Sequence, residues 1–248
     1  MPTSDLIVSQ PSPGVMTLTL NRPAKRNALG GEVVDDMLGA LDAANAAGVR
    51  LLVLKGNGAS FCSGFDLSNL DAESDGDLLL RFVRIEMLLQ RLHSAPFTTL
   101  VFAHGRTYGA GADIVAACDK RIVAGDAKFA FPGVGFGIVL GTGRLIGRVG
   151  ADRAQEIVQS GREIDTAEAL AIGLATARIS EGEADDLIAR EHETAMRLDR
   201  ETSAAIRAVM TGDGAADLTH LVRSAARPGL KARIQAYRDK VQSRGRPK

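Results

Sequence analysis

Aromatic residues are scarce in this sequence. Its 248 residues include no tryptophan, two tyrosines and eight phenylalanines. So few rings argue against a platform on which the bases of single-stranded nucleic acid stack. A surplus of one charge is missing as well, because 30 Lys and Arg residues balance 30 Asp and Glu residues. We therefore expect that the overall field of the protein attracts neither nucleic acid nor an anionic membrane.

Cysteine and histidine are too few and too scattered for a metal centre. Cys62 and Cys118 form no CxxC motif, and the four histidines do not stand at ligand spacing. The sequence predicts two buried free thiols and no metal site. Long apolar runs are also missing, since no stretch reaches the roughly 18 apolar residues of a membrane span. The first residues contain no basic segment followed by an apolar one, so we expect a cytoplasmic protein with no membrane partner.

The sequence does contain the alternation typical of an α/β protein. Hydrophobic residues make up 45% of the chain and charged residues 24%, a composition that can bury a core. Residues 15–20 (VMTLTL) predict a strand, apolar positions from Val33 to Ala44 recur at helical spacing, and residues 51–56 (LLVLKG) predict the next strand. Because parallel strands need crossover connections, this order indicates a parallel sheet covered by helices.

The pattern continues to about residue 180. One apolar helical stripe runs over residues 78–92, and TLVFAHG predicts a strand after it. RIVAG and KFAF, within 121–131, predict two short strands, and they precede a helix that ends at Gly161. No strand pattern follows residue 181. We therefore divide the chain into an α/β core, residues 1–180, and a helical C-terminal part, residues 181–248.

Two glycine-rich turns each follow an apolar strand: FCSGFDL at 61–67 and HGRTYGAGADIVAACD at 104–119. The residues after the glycines are typical of a helix start, with Asp66 and Asp113 near the positive end of the helix dipole. Free N–H groups of two such turns on neighbouring strands can bind one oxygen and stabilise an enolate or a tetrahedral oxyanion. Either turn taken alone is better explained by tight turning and close helix packing.

Five segments in order resemble the enoyl-coenzyme A hydratase/isomerase (crotonase) family. They are LNRPAKRNAL at 20–29, VLKGNGASFCSGFDL at 53–67, HG-x3-GAG-x6-CD at 104–119, KFAFPGVGFGIVLG at 128–141 and RVGADRAQEIVQSGREIDTAEALAIGLA at 148–175. The resemblance implies a crotonase-like spiral of ββα repeats with a helical C-terminal appendage. The assembly that it implies is a homotrimer or a dimer of trimers, with residues 181–248 as the part for oligomerisation. It also implies an acyl-CoA thioester partner, with coenzyme A as part of the substrate and no separately bound cofactor.

The resemblance also implies a site. The family's two oxyanion-hole amides fall on Phe65, which follows Gly64, and on Ala110, the middle residue of GAG. Alanine keeps the N–H of this position as long as the backbone does not require a positive φ. The loop RPAKRNAL is similar to the family's coenzyme A entry loop. The other substrate and coenzyme A positions that we expect are Ala24, Lys25, Arg26, Ser63, Gly64, Asp66, Leu67, Gly109, Gly111 and Gly133.

The acid/base positions depart from the family pattern. Family hydratases use two glutamates, and at those positions this sequence has Asp113 and Gly133. A glycine moves no proton, so half of the two-glutamate apparatus is missing. Glu86, at the edge of the apolar stripe, is a second candidate for proton transfer, and a glutamate at the solvent edge is the simpler interpretation. The chain is also about three residues short after Gly143 compared with the family, which changes the loop beside the acyl pocket.

We interpret the protein as an acyl-CoA-binding enzyme of the hydratase/isomerase type, with Asp113 as acid/base and the Phe65 and Ala110 amides as the oxyanion hole. One carboxylate supports isomerisation better than a two-acid hydration. The alternatives are another enolate reaction (hydrolase, decarboxylase or dehalogenase) and a non-catalytic acyl-CoA binding or assembly protein. Residues 223–248 carry nine Lys or Arg residues against Asp239 alone, which suits solvated helix faces, a coenzyme phosphate or, as a weaker possibility, nucleic acid.

Overall fold

The computed structural model describes residues 4–211 and 215–244. The strands of this part form a sheet in chain order: β1 (Leu6–Ser12), β2 (Val15–Leu20), β3 (Leu51–Gly56), β4 (Thr98–Tyr108), β5 (Lys120–Ala130) and β6 (Ala177–Ile179). β1 and β2 are antiparallel, and every later neighbouring pair is parallel. The predicted α/β class with a parallel sheet is therefore confirmed.

Helices connect and cover the strands. They are α1 (Gly31–Ala46), α2 (Asp75–His93), α3 (Ala110–Ala117), α4 (Thr142–Val149), α5 (Ala151–Ser160), α6 (Thr166–Ala171), α7 (Ala184–Met196), α8 (Arg200–Thr211), α9 (Ala215–Ala225) and α10 (Leu230–Arg244). Local sequence sets several of their ends. A capping box of Ser74 and Asp77 begins α2, and Gly161 ends α5 in the left-handed conformation.

Three local predictions were wrong or incomplete. The sequence did not predict β1 or β6, because β1 is an edge strand with only Leu6 buried and β6 is three residues long. RIVAG and KFAF form one strand, β5, which bends at Gly125 (φ 73°) and resumes its pairing with β4. No helix starts at Asp66, since a short 3₁₀ turn over Leu70–Ala72 and then α2 follow it.

The C-terminal helices pack on the core through an apolar cluster. Its buried members are Leu70, Leu78, Phe82, Ile138, Leu221, Ala225, Leu230 and Ile234. Asp75, at the start of α2, caps the start of α10 by accepting the N–H groups of Gly229 (3.1 Å), Leu230 (3.1 Å) and Lys231 (2.7 Å). The helical C-terminal part is thus joined closely to the α/β core, and the boundary at residue 180 stays a prediction.

Part of the basic C-terminal segment has a structural role. Arg233 donates to the backbone oxygens of Phe136 (2.7 Å) and Gly137 (3.3 Å). The Lys231 ammonium donates to the backbone oxygen of Asp71 (2.7 Å). These bonds connect α10 to the loops beside it. Arg246 and Lys248 lie outside the described residues.

One surface of the helical part is apolar and uncovered. On α8, Ile206 is 45% exposed, Val209 86% and Met210 77%. Across residues 4–211 and 215–244, no helix combines the length and the apolar character needed to cross a bilayer.

Candidate active site

The two glycine-rich turns lie side by side because the segment before the first turn pairs with the second half of β4. Ser60 bridges Gly105, Cys62 bridges Thr107, and the Tyr108 N–H donates to the Cys62 oxygen (3.0 Å). Phe65 and Ala110 each stand three positions beyond the bridged pair of Cys62 and Thr107. The pairing therefore ends at the same level on both segments, and the two turns lie next to each other.

The glycines allow this close approach. Gly64 has a φ of 92°, and a Cβ there would lie 2.7 Å from the Tyr108 oxygen and 3.3 Å from the Ala110 nitrogen. Gly109 has a φ of 52° and directly precedes α3. A Cβ on Gly111 would lie 2.9 Å from the Cys62 Cβ, so this glycine serves packing between the turns.

The amides of Phe65 and Ala110 are free of protein partners within the described residues. The backbone groups on either side of the Phe65 amide are hydrogen-bonded. The Gly64 oxygen accepts from the Leu29 N–H (2.7 Å), and the Asp66 N–H donates to the Leu29 oxygen (3.1 Å). Ala110 is the first residue of α3, whose N–H lacks an intrahelical acceptor, and its φ is not positive. Alanine therefore presents this N–H without strain.

A cavity of about 530 Å³ opens in front of both turns. The predicted site residues that line it are Lys25, Arg26, Ser63, Phe65, Asp66, Leu67, Gly109, Ala110, Asp113 and Gly133. Four others, Ala24, Gly64, Gly111 and Glu86, are not among its lining residues. The size fits a small-molecule pocket.

The cavity also has an apolar wall that the sequence analysis missed. Phe82 stacks on Phe65 with ring centroids 4.3 Å apart. The Arg81 guanidinium also contacts the Phe65 ring, with its central carbon 4.0 Å from the ring centroid. Tyr237 on α10 reaches Phe136 at 5.2 Å between centroids. The place of Phe82 on the apolar stripe of 78–92 was a usable signal, whereas nothing local marks Tyr237.

Positive charge collects along part of this lining. Lys25, Arg26 and Arg106 all lie on it. The sequence analysis did not identify Arg106, because no motif marks this position as a binding residue. Asp66 anchors the same region, since its carboxylate accepts from Arg22 (3.0 Å) and from the Ser68 N–H (2.9 Å). Partial burial raises the pKa of Asp66, but these hydrogen bonds outweigh it and the pKa lies below the usual range.

Asp113 is a buried carboxyl group on the cavity lining. Asp113 lies in the first turn of α3 and is only 4% exposed. The Oδ1 atom has no hydrogen-bond partner among the residues that the structure describes. Burial raises the pKa of Asp113 well above its usual range, the positive charge of Arg144 opposes this rise, and Glu86 and Asp217 add to it.

Glu86 is not at the solvent edge, so the simpler interpretation of this residue was wrong. It is 0% exposed, and its Oε2 atom lies 2.6 Å from Nη2 of Arg144. Arg144 reaches Glu86 from α4, a pairing that no local pattern on α2 could predict. Burial raises the pKa of Glu86, against the effect of the Arg144 hydrogen bond.

The two thiols behave as predicted from their isolation in the sequence. Cys62 and Cys118 are free and buried. Burial raises the pKa of each thiol to about 12. Neither supplies a nucleophilic thiolate at neutral pH.

Comparison with known proteins places this geometry in a family. The model of the Enoyl-CoA hydratase/isomerase family matches residues 10–243. A Bacillus subtilis (strain 168) protein named a probable enoyl-CoA hydratase is 35% identical over 167 residues, 64% of this chain and 64% of that protein. The 2,3-dehydroadipyl-CoA hydratase of Escherichia coli (strain K12) is 35% identical over 175 residues, 69% of this chain and 68% of its own length.

A solved structure is similar over almost the whole chain. The crystal structure of an enoyl-CoA hydratase/isomerase-type protein from Bordetella parapertussis has a TM-score of 0.93 and 44% identity, and the match covers 99% of this chain and 100% of that chain. The fold is therefore crotonase-like, with C-terminal helices. The chain belongs to the enoyl-CoA hydratase/isomerase family.

Proposed function

We propose that this protein is an acyl-CoA enzyme of the enoyl-CoA isomerase or hydratase type, which forms a thioester enolate and moves a proton to or from it. The observation that carries the proposal is the pair of unpartnered amides, Phe65 and Ala110, on one cavity with the buried carboxyl of Asp113. Two donors aimed at a thioester oxygen stabilise the negative charge that develops when a neighbouring carbon loses a proton.

Asp113 is the acid/base of this proposal. In its ionised form it removes a proton from a carbon next to the carbonyl group, which leaves an enolate, and it returns the same proton to another carbon of the conjugated system. Burial suits the task, because a raised pKa makes the carboxylate a stronger base. Activity then rises with pH through the pKa of Asp113, since the base must first lose its proton.

Isomerisation suits this site better than symmetrical hydration. The second carboxylate of family hydratases falls on Gly133, and Glu86 is paired with Arg144 outside the cavity lining. A double-bond shift needs one group that takes and returns a proton, whereas two-acid hydration needs two. We therefore assign direct proton transfer to Asp113 and an indirect role to Glu86.

The substrate in this proposal is an acyl-CoA thioester. Lys25, Arg26 and Arg106 supply positive charge for the phosphates of coenzyme A, and the aromatic wall around Phe82 receives the apolar part. Coenzyme A enters as part of the substrate, and the reaction needs no further cofactor. We also propose a cytoplasmic homotrimer or dimer of trimers. The uncovered apolar face of α8 supports contact between subunits.

The experiment that tests the function uses purified protein and a panel of acyl-CoA thioesters. Double-bond shift and hydration are followed spectroscopically in the unmodified protein and in Asp113→Asn. We expect turnover that falls by about 10²-fold or more in Asp113→Asn, with thioester binding retained. Asp126→Asn, an exposed aspartate away from the cavity, serves as the control.

Three outcomes contradict the proposal in different ways. Tight binding of thioesters without any turnover favours a non-catalytic acyl-CoA binding or assembly protein, for which Gly133 is the motivating observation. Turnover that Asp113→Asn leaves unchanged rejects the role of Asp113. Release of free coenzyme A or of carbon dioxide from a panel member instead identifies another enolate reaction.

A further inference from the structure

Arg144 lies among three carboxyl groups behind the cavity. Its side chain is 3% exposed, with Nη2 2.6 Å from Oε2 of Glu86 on α2 and Nη1 3.1 Å from Oδ2 of Asp217 on α9. Asp113 on α3 is the third carboxyl group, and Arg144 acts on it through charge without a hydrogen bond. Arg144 itself is not among the residues that line the cavity.

The chain leaves room for this arrangement at two glycines. A Cβ on Gly141 would lie 2.7 Å from Cγ of Asp113, and a Cβ on Gly143 would lie 3.1 Å from Cγ of Asp217. Both glycines belong to the GTG segment that immediately precedes Arg144. The backbone therefore lets two carboxyl groups pack against the turn that carries the guanidinium.

The charges in this group are unequal. One guanidinium pairs with Glu86 and Asp217 and acts on Asp113 through its charge. A buried carboxylate is costly without a compensating charge. Within residues 4–211 and 215–244, Oε1 of Glu86 and Oδ1 of Asp113 are both buried without a hydrogen-bond partner. Ionisation of Asp113 therefore depends on where the single positive charge is held.

We propose that Arg144 is a positioning residue for proton transfer at Asp113: it supplies the positive charge that lets this buried carboxyl group ionise, and Glu86 and Asp217 hold that charge in place. The inference rests on the proposed function, because Asp113 is the acid/base of both. Arg144 from α4, Glu86 from α2 and Asp217 from α9 are the charged groups that act on Asp113.

The charges predict opposite effects of two neutralising substitutions. Arg144 lowers the pKa of Asp113 from the high value that burial gives it, and Glu86 raises this pKa. Arg144→Gln should therefore raise the midpoint at which Asp113 titrates, and Glu86→Gln should lower it. A merely structural role of the ion pair predicts no such opposition.

The test follows the Asp113 carboxyl group directly, without substrate. The full chain is labelled with ¹³C at aspartate side-chain carboxyl groups, Asp113→Asn identifies the signal, and the signal is titrated with pH. We expect shifts of about one pH unit, upward in Arg144→Gln and downward in Glu86→Gln. Arg144→Lys keeps the charge and should return the midpoint toward that of the unmodified protein. Arg148→Gln, which removes another cation of α4, should leave it unchanged.

A double variant covers the case in which Arg144→Gln does not fold, since that change leaves Glu86 buried and unpaired. Glu86→Gln/Arg144→Gln removes both charges, and its midpoint should lie about one pH unit above that of Glu86→Gln alone. Equal midpoints in these two proteins would overturn the proposal, as would shifts in the same direction for both single variants.

Activity distinguishes this proposal from the proposed function. Where turnover is measured, the acidic limb of the pH profile of kcat/KM should move with the NMR midpoint in each variant. The Asp113 midpoint could shift upward in Arg144→Gln and downward in Glu86→Gln while no acyl thioester is turned over. That result would support the relation between Arg144 and Asp113 and overturn only the proposed function.

Discussion

The backbone of Gly141 lies against the carboxyl group of Asp113. Gly141 adopts the left-handed conformation (φ 66°) at the residue before α4, and a Cβ there would lie 2.7 Å from Cγ of Asp113. A Cβ this close to a side-chain atom forces one of the two to move, so the Asp113 carboxyl group keeps this position only while residue 141 has no side chain. The placement of Asp113, the proposed acid/base, thus depends on a glycine far from it in sequence.

Gly141→Ala should disturb both the fold and the acid/base. The left-handed conformation costs alanine roughly 1–2 kcal/mol, and the new methyl group also displaces Asp113. We expect a lower thermal midpoint and a loss of turnover. Gly161→Ala is the matched control, because Gly161 has a similar φ of 62° and open space around its Cβ position. If the two variants lose equal stability and both keep full turnover, the contact between Gly141 and Asp113 has no functional weight.

Ala110→Pro should remove one of the two proposed oxyanion donors while leaving the backbone in place. Proline lacks the N–H and is well tolerated at the first position of a helix, which Ala110 occupies in α3. We expect turnover to fall by about 10²- to 10³-fold with only a small change in thermal midpoint. Ala151→Pro makes the same change at the first position of α5, also after a glycine of positive φ. Equal rates in these two variants would exclude the Ala110 amide from the reaction.

Gly133→Glu should introduce the carboxylate that the family's hydratases carry. Gly133 has no positive φ, and a Cβ there would make an ordinary contact of 3.4 Å with the Ile138 oxygen. A second proton-transfer group contributes about 10²- to 10⁴-fold, so we expect hydration to increase relative to isomerisation. Gly133→Gln has the same size without the ionisable group. A hydration rate that both variants share would show that the carboxylate at 133 is not what limits hydration.

Asp75→Asn should weaken the attachment of α10 in a way that depends on pH. Hydrogen bonds from the backbone of Lys231, Leu230 and Gly229 outweigh the small effect of burial and hold the pKa of Asp75 below its usual range. Its stabilising effect is therefore present above the pKa of an unfolded aspartate, about 3.9, and is lost as pH falls through the lower folded-state pKa.

The measurement is the thermal midpoint of Asp75→Asn and of the unmodified protein between pH 7 and pH 3. The variant should melt at a lower temperature at pH 7, and this difference should shrink as the carboxylate of the unmodified protein is protonated. Asp152→Asn, an exposed aspartate in the first turn of α5, is the control. A difference that stays constant with pH would mean that the charge of Asp75 does not hold α10.

The sequence by itself determined the elements whose apolar residues recur periodically and whose ends are set by nearby residues. The strands at 15–20 and 51–56 and the helix stripe at 78–92 follow from the positions of their own apolar residues. The two glycine-rich turns were also visible, because the positive φ of Gly64 and Gly109 and the close backbone approach at Gly111 favour glycine. Family resemblance then located Phe65, Ala110 and Asp113 on those turns.

Only the tertiary structure decided the surroundings of these residues. Glu86 is buried by Arg144, 58 positions later in the chain, and Tyr237 on α10 joins the wall of a cavity formed mainly by the α/β core. Such contacts depend on how elements pack, which the periodicity within a single element does not encode. The charge state and the accessibility of a site residue come from neighbours distant in sequence, and for this reason the sequence identified Asp113 while the fold determined its environment.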